Sequence, residues 1–358
     1  MEGALGIIDP KFNILFFIIF HVIVSVIRYE LYWIEIKTET MYSRGFKKDW
    51  IKVYIGIPLL LFGFLLNKSI KRGDNDIKKP FTSIKLHISS ALLAFTILGS
   101  PVISLFGFKD PYYLVSEVLS SLYIIIYLVY SYFSPKNKPK KRELIGIMIS
   151  LFSFVLRGMT ILVISGFKFD MKQRQMVKSC IYIGLYFTMN SFKIILIDYI
   201  IHNIPVSGGV QMGFQSIYSI LLSALIFIPM NYHGLTSSND GDGIHEDLYN
   251  SFLMAKNNTT IIFYLIMLVI MVFFSSLFQS TTIQCFNGFY IILSRGLCDI
   301  IYFHYRIYPN YKFFLSLSGV INSVFSIGYI IGCLIYANII PIFNDEIEDI
   351  LDTSLIKV

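Results

Sequence analysis

The stretch Thr260-Ile-Ile-Phe-Tyr-Leu-Ile-Met-Leu-Val-Ile-Met-Val-Phe-Phe-Ser-Ser-Leu-Phe278 carries no Asp, Glu, Lys or Arg. In helical form about 20 residues cover a hydrocarbon core of about 30 Å. Lipid offers no hydrogen bonds, so such a run must satisfy its own backbone groups as a helix. Working outward, the same pattern returns along the whole chain. Apolar runs occupy Phe12–Arg28, Trp50–Leu66, Leu86–Phe108, Tyr112–Phe133 and Leu144–Phe167, then Ser179–Ile201, Met212–Pro229, Thr282–Phe303 and Leu315–Ile340. With Thr260–Phe278 they predict an all-α integral membrane protein of about ten transmembrane helices.

Composition agrees. Hydrophobic residues make up 55% of the 358 and charged residues only 15%, too little polar surface for a soluble domain of this size. The formal net charge is +7, but the Lys and Arg residues lie mainly between the apolar runs. That placement suits lipid headgroups and argues against nucleic acid as a partner. Cys180, Cys285, Cys298 and Cys333 all fall within apolar segments without metal-ligand spacing, and the six histidines form no HExxH-like cluster. No GxSxG elbow, Walker loop or paired-carboxylate motif is present. The expectation is a non-enzyme without cofactor or metal. Met1–Lys11 lacks the basic region of a cleavable signal peptide, so the first span reads as a signal anchor.

The halves share a feature. Tyr132-Phe-Ser-Pro135-Lys-Asn-Lys138 precedes a span with Gly146, and Arg306-Ile-Tyr-Pro309-Asn-Tyr-Lys312 precedes one with Gly319. Aromatic-Pro-Lys is also common at membrane interfaces, so the match alone leaves both readings open. Five spans per half would invert the second half relative to the first, as in many secondary transporters. The expected organisation is a 5+5 inverted repeat: residues 1–170, residues 171–343, and an acidic cytoplasmic tail, 344–358. Loops two–three and four–five are the most basic, which would place them and the termini in the cytoplasm, but the segments after spans one and five also carry four bases each, so summed charges do not decide orientation. Overlapping glycosylation sequons at Asn257 and Asn258 favour a lumenal or extracellular loop there and cytoplasmic termini, leaving the sequon at Asn67 silent.

His202-Asn-Ile-Pro205, Gly213-Phe-Gln, Ile228-Pro-Met-Asn-Tyr232 and the acidic Glu246-Asp-Leu-Tyr-Asn-Ser-Phe-Leu253 resemble the solute carrier 35 family, F subfamily, of nucleotide-sugar-transporter-like proteins in the drug/metabolite transporter superfamily. Glu117-Val-Leu-Ser-Ser-Leu-Tyr-Ile and Leu144-Ile-Gly-Ile-Met are similar to that family's fourth and fifth helices. The resemblance covers about two thirds of the chain. It implies ten helices, alternating access, a central substrate site, and a Golgi, endosomal or lysosomal membrane. The chain departs from the family at Glu117, where Gln is usual, and at Ser120-Ser121, where Arg-Gly is usual. The Phe-Tyr-Asn-Asn and Gly-Ala-Leu-Asn-Lys motifs of GDP-sugar carriers are absent, so nucleotide-sugar transport follows from the resemblance and not from these residues.

Ionisable groups at bilayer depth cost at least about 2.5 kcal/mol on insertion scales, so they usually face a partner or an aqueous path. Lys193 lies mid-span, with Asn190 one turn before it and Asp198 about a turn after. It could meet a substrate phosphate or carboxylate, pair with Glu117 or Asp198, or snorkel. Arg295 and Asp299 are four apart and share a helix face, where they could neutralise one another or gate a site. Glu117 could take a proton in a dry site. Arg157, beside Gly158, could line the same space. Gly99 with Pro101 reads as a helix break, Gly208-Gly209 as a flexible loop, and Gly328 with Gly332 as a close-packing face.

The functional expectation is a secondary transporter of a small polar or anionic metabolite. A non-transporting membrane scaffold or receptor is the alternative. Expected partners are the lipid bilayer and a small-molecule substrate, with a homodimer left open.

Overall fold

The computed structural model describes residues 10–33, 35–37, 42–44, 56–66, 83–107, 116, 118–134, 138–164, 173–204, 206–227, 255–307 and 317–340. Among them lie ten helices. These are α1 (Pro10–Trp33), α2 (Gly63–Leu66), α3 (Ile84–Gly107), α4 (Leu122–Phe133), α5 (Lys141–Ile164), α6 (Gln173–Asn203), α7 (Gly208–Leu222), α8 (Thr259–Cys285), α9 (Gly288–Ile307) and α10 (Leu317–Tyr336). A 3-10 turn, Pro58–Phe62, leads into α2, and a π-helical turn, Ser223–Phe227, extends α7. Among the described residues the two strands β1 (Glu35–Lys37) and β2 (Tyr42–Arg44) pair as a small antiparallel hairpin.

Five helices are long and apolar enough to cross a membrane: Lys11–Leu31, Lys141–Thr160, Val177–Asn203, Thr259–Cys285 and Gly319–Tyr336. They fit a membrane protein, and the radial distribution of side chains agrees. Ile84, Ile88, Leu92 and Phe95 form an exposed apolar stripe on α3, and Phe263, Ile266 and Ile270 continue the pattern on α8. Polar groups point inward instead, including Gln211, Gln215, Gln279, Arg157 and Arg295. Water would favour the reverse arrangement; lipid favours this one. α7, with 15 residues, is shorter than these five and carries several of the inward-facing groups.

Three pairings dominate the packing: α5 with α10, α3 with α6, and α1 with α8. The first rests on missing side chains. A Cβ on Gly146 would come within 2.6 Å of the Tyr336 backbone nitrogen and 2.8 Å of the Gly332 oxygen. One on Gly328 would meet Ser153 Oγ, and one on Gly332 would meet Ser150 Oγ. The expected close-packing face of Gly328 and Gly332 thus meets a matching one, and the helices approach at backbone distance. α1 and α8 are zipped by rings instead, with Phe16 and Phe20 stacked on Phe278 and Phe20 on Phe274.

Several boundaries differ from the sequence reading for physical reasons. The residues Gln279-Ser-Thr281 are expected to separate two spans, the second beginning at Thr282, yet α8 runs through both to Cys285. Ser280 Oγ donates to Gln211 Oε1 at 2.9 Å and Gln284 Oε1 accepts from the Gly208 N–H at 3.1 Å, so the polar groups bond across to α7. The expected break at Gly99 and Pro101 is absent, because α3 is continuous to Gly107. Gly99 instead admits Met189 of α6, whose Cε would lie 3.1 Å from a Cβ there. Gly208-Gly209 is not a loop but the buried first turn of α7, capped by Ser207, whose side chain accepts from the Val210 N–H. Asn258 caps α8 in the same way, accepting from Thr260 and Ile261. α10 ends at Asn338, whose φ of 57° is the left-handed cap conformation.

Candidate functional site

Arg295 of α9 is buried in the bundle, Lys193 of α6 and His21 of α1 are half-buried, and Arg28 of α1 is exposed. The charges of Arg295 and Arg28 act on Lys193, and all three cations act on His21. The spacing behind this is simple. His21 and Arg28 are seven apart on α1, two turns along one face, and α1 packs against both α8 and α9. His21 stacks on Phe17 and lies 3.4 Å from Ser275 Oγ on α8.

Arg295 is 7% exposed and is fixed by two neighbours. Its Nη2 donates to Gln279 Oε1 of α8 at 3.4 Å, and its guanidinium lies over the Tyr123 ring of α4, 5.9 Å from the centroid. The Tyr123 ring in turn meets Phe187 of α6 edge-on. Arg295 therefore turns to Gln279 and Tyr123 rather than to Asp299, and the expected neutralising pair is not how this arginine is held. Asp299 is half-buried, and its charge reaches Tyr123 and Tyr186. Asn190, one turn from Lys193, donates to the Tyr186 carbonyl at 3.0 Å and also engages the Tyr186 side chain. Four sequence candidates, Lys193, Asn190, Arg295 and Asp299, are thus brought into one region.

Asp198 is not among them. Five residues beyond Lys193 it faces about 140° round the helix, and it is fully buried in a different set of contacts. Its Oδ1 accepts from the Gly288 N–H at 3.2 Å and lies 3.2 Å from His202 Nδ1, while its Oδ2 accepts from Tyr130 Oη at 3.3 Å. A carboxylate on the first N–H of α9 is favourably placed for the helix dipole. Gly288 also donates to Tyr127 Oη at 3.0 Å, and a Cβ there would strike the Tyr127 ring at 2.5 Å from its oxygen, so only glycine fits. Of the alternatives open for Lys193, the pair with Asp198 does not form; Asp198 belongs instead to a knot tying α4, α6 and α9 together.

Arg157 is fully buried between α5 and α9, with its guanidinium over Phe303 at 4.7 Å and Phe154 at 5.7 Å. It stands apart from the groups that act on Lys193. Glu117, the tail 344–358 and the sequon at Asn67 lie outside the described residues. Of the paired sequons, Asn257 is exposed while the Asn258 side chain is engaged as a helix cap. No group of His, Cys, Asp or Glu able to hold a metal occurs among the described residues.

Sequence reading passed over His21, Arg28, Tyr123 and Gln279. For the first two a signal existed, since two basic groups seven apart in one apolar run share a face. Gln279 was obscured by being assigned to a loop.

No family model matches the chain, and no curated protein matches it. A solved structure described only as "Crystal structure of protein" is similar at a TM-score of 0.53 and 14% sequence identity, covering 92% of this chain and 99% of that one. At that identity the likeness is one of fold.

Proposed function

We propose that this chain is a secondary transporter of a small polar or anionic metabolite, working by alternating access around the Lys193–Arg295 cluster. The observation that carries the reading is the grouping of the half-buried Lys193 and His21 with the buried Arg295, which bonds Gln279 and lies over Tyr123, in a bundle whose outer surface is apolar. Burying like charges together is costly and contributes nothing to folding that apolar residues would not supply better. A scaffold has no use for it, whereas a site for an anion does.

The helix pairings support a ten-span, 5+5 inverted repeat built from residues 1–170 and 171–343. Exchanging each helix with the one five places later turns α3–α6 into α8–α1, and α1–α9 into α6–α4, while α5–α10 maps onto itself. All of these pairs are packed against one another. Both α1–α9 and α4–α6 also run side by side in the same direction: Ile18 meets Cys298 and Glu30 meets Tyr305, while Tyr123 meets Phe187 and Tyr130 meets Asp198. In such carriers the two repeats rock about a site at their interface, and the cationic cluster draws on α1 and α4 from one half and α6, α8 and α9 from the other. The resemblance to the solute carrier 35 family favours an internal membrane with cytoplasmic termini, and it suggests nucleotide-related solutes as the first to try.

The test is uptake into proteoliposomes of labelled nucleotide sugars, nucleotides, nucleosides and amino acids, with Lys193→Ala in parallel. Saturable uptake of one class, lost in the variant, is the expected result. Uptake that survives in the variant removes Lys193 from the site, and no uptake by folded protein ends the carrier reading.

A further inference from the structure

Arg295 and Gln279 hold one another in a way that leaves hydrogen-bond donors over. The Arg295 Nη2 bond engages the oxygen of the Gln279 amide, and that fixes which end of the amide is turned away. The end turned away is Nε2, a donor. Among the described residues it has no hydrogen-bond partner, and neither has Arg295 Nε, although both residues are more than nine-tenths buried. A buried donor without an acceptor costs about 1–3 kcal/mol, more when charged. Two neighbouring donors left in this state therefore mark a place where an acceptor belongs. Lys193, which the charge of Arg295 reaches directly, adds an ammonium with three further donors. Among the described residues Arg295 bonds Gln279 and not Asp299, whose charge reaches the neighbouring Tyr123 and Tyr186. The donors are closed off from solvent in this conformation, so an acceptor reaches them only when the helices separate, as alternating access requires.

Resting on the carrier reading, we infer that the occupant of this site is an oxyanion, carboxylate or phosphate, whose oxygens accept from Arg295 Nε and Gln279 Nε2 with Lys193 as counter-charge. Gln279 is then a specificity-determining residue and not only a prop for Arg295. Cations find three donors and repelling charge there. Neutral solutes leave that charge unmatched.

The two roles of Gln279 separate under Gln279→Glu. A carboxylate of nearly the same shape would bond Arg295 more strongly than the amide does, so a prop would be kept or improved. A donor would be lost, and Arg295 would be neutralised. The experiment is thermal stabilisation of the purified protein in detergent by inorganic phosphate, pyrophosphate, succinate and citrate, with arginine and glucose as cationic and neutral probes. The expected result is stabilisation by at least one anion, weakened about tenfold or more in Gln279→Glu, with the variant's own melting temperature unchanged or raised. Phosphate-selective or carboxylate-selective responses identify which oxyanion is meant. Undiminished anion binding in Gln279→Glu overturns the inference. Should that variant not fold, Arg295→Lys keeps the charge and lacks the Nε donor, and undiminished binding there overturns it equally. Uptake of a neutral or cationic solute with no anion response overturns the inference while the carrier reading stands. No uptake of any solute overturns both.

Discussion

Two buried charged regions lie along α6, one turn and a half apart, and they are built on opposite principles. Around Asp198 every valence is used: Gly288, Tyr130 and His202 surround its two oxygens, and Tyr127 takes a second bond from the same N–H. Around Lys193 and Arg295 cations gather near one another, and donors are left over. A satisfied buried charge holds helices together, and removing it exposes the cost of all its partners. A site with surplus donors gains nothing for the empty fold, so its residues earn their place through what binds. Under the proposed carrier function the first is an architectural charge and the second a ligand-directed one.

The sharpest way to break this comparison is Asp198→Ala. It would leave the Gly288 N–H with Tyr127 and remove the buried carboxylate that Tyr130 and His202 meet, while His202 Nδ1 keeps the Asp198 backbone oxygen at 3.1 Å. A loss of about 3–5 kcal/mol is expected, read as a large fall in detergent melting temperature or in yield of monodisperse protein. Wild-type stability in this variant would mean the knot is not structural. Tyr130→Phe removes one donor and keeps the ring, so about 1 kcal/mol is expected from the same measurement.

The amide ladder between α7 and α8 offers an intermediate case. Gln211 Nε2 donates to Gln215 Oε1 at 3.0 Å, and Gln211 Oε1 accepts from Ser280. Ser280→Ala deletes one member of a neutral, satisfied network, and about 1 kcal/mol of destabilisation is expected. Gln211→Leu should cost more than Ser280→Ala, because it strands both Ser280 and Gln215. Equal effects would mean that the ladder does not act as a connected unit.

How much of this was legible beforehand follows from the same distinction. Hydropathy announces helices whose outer faces meet lipid, so the order of the long runs and their helical state could be read from residues such as Thr260–Phe278. It misleads where polar residues face inward. Gln279–Thr281 looked like a loop because nothing in a linear window says that Gln211 stands opposite Ser280. Asp198 looked like a partner for Lys193 because proximity in sequence hides 140° of rotation. Arg295 and Asp299 looked like a pair because four-residue spacing permits one, but Gln279 and Tyr123 from two other helices compete for the guanidinium. Charges in an apolar run could be identified as notable; which charges were satisfied could not, since that depends on neighbours from distant parts of the chain.

The smallest expected effect on stability comes from the residue expected to matter most for function. Lys193 has no ion-pair partner among the described residues, and it sits where Arg295 and Arg28 oppose its charge. Lys193→Met keeps the apolar stem and deletes the ammonium, which removes repulsion rather than a bond. Replacing buried charge by apolar volume is often neutral or stabilising, so the melting temperature of the empty protein should stay level or rise. Uptake in proteoliposomes should fall to background at the same time. A drop in stability like that of Asp198→Ala would place Lys193 in a structural pair after all and erase the contrast between the two regions. Stability held and uptake lost is the combination that only a ligand-directed charge produces, because the ammonium then has its counter-ion in the bound state alone.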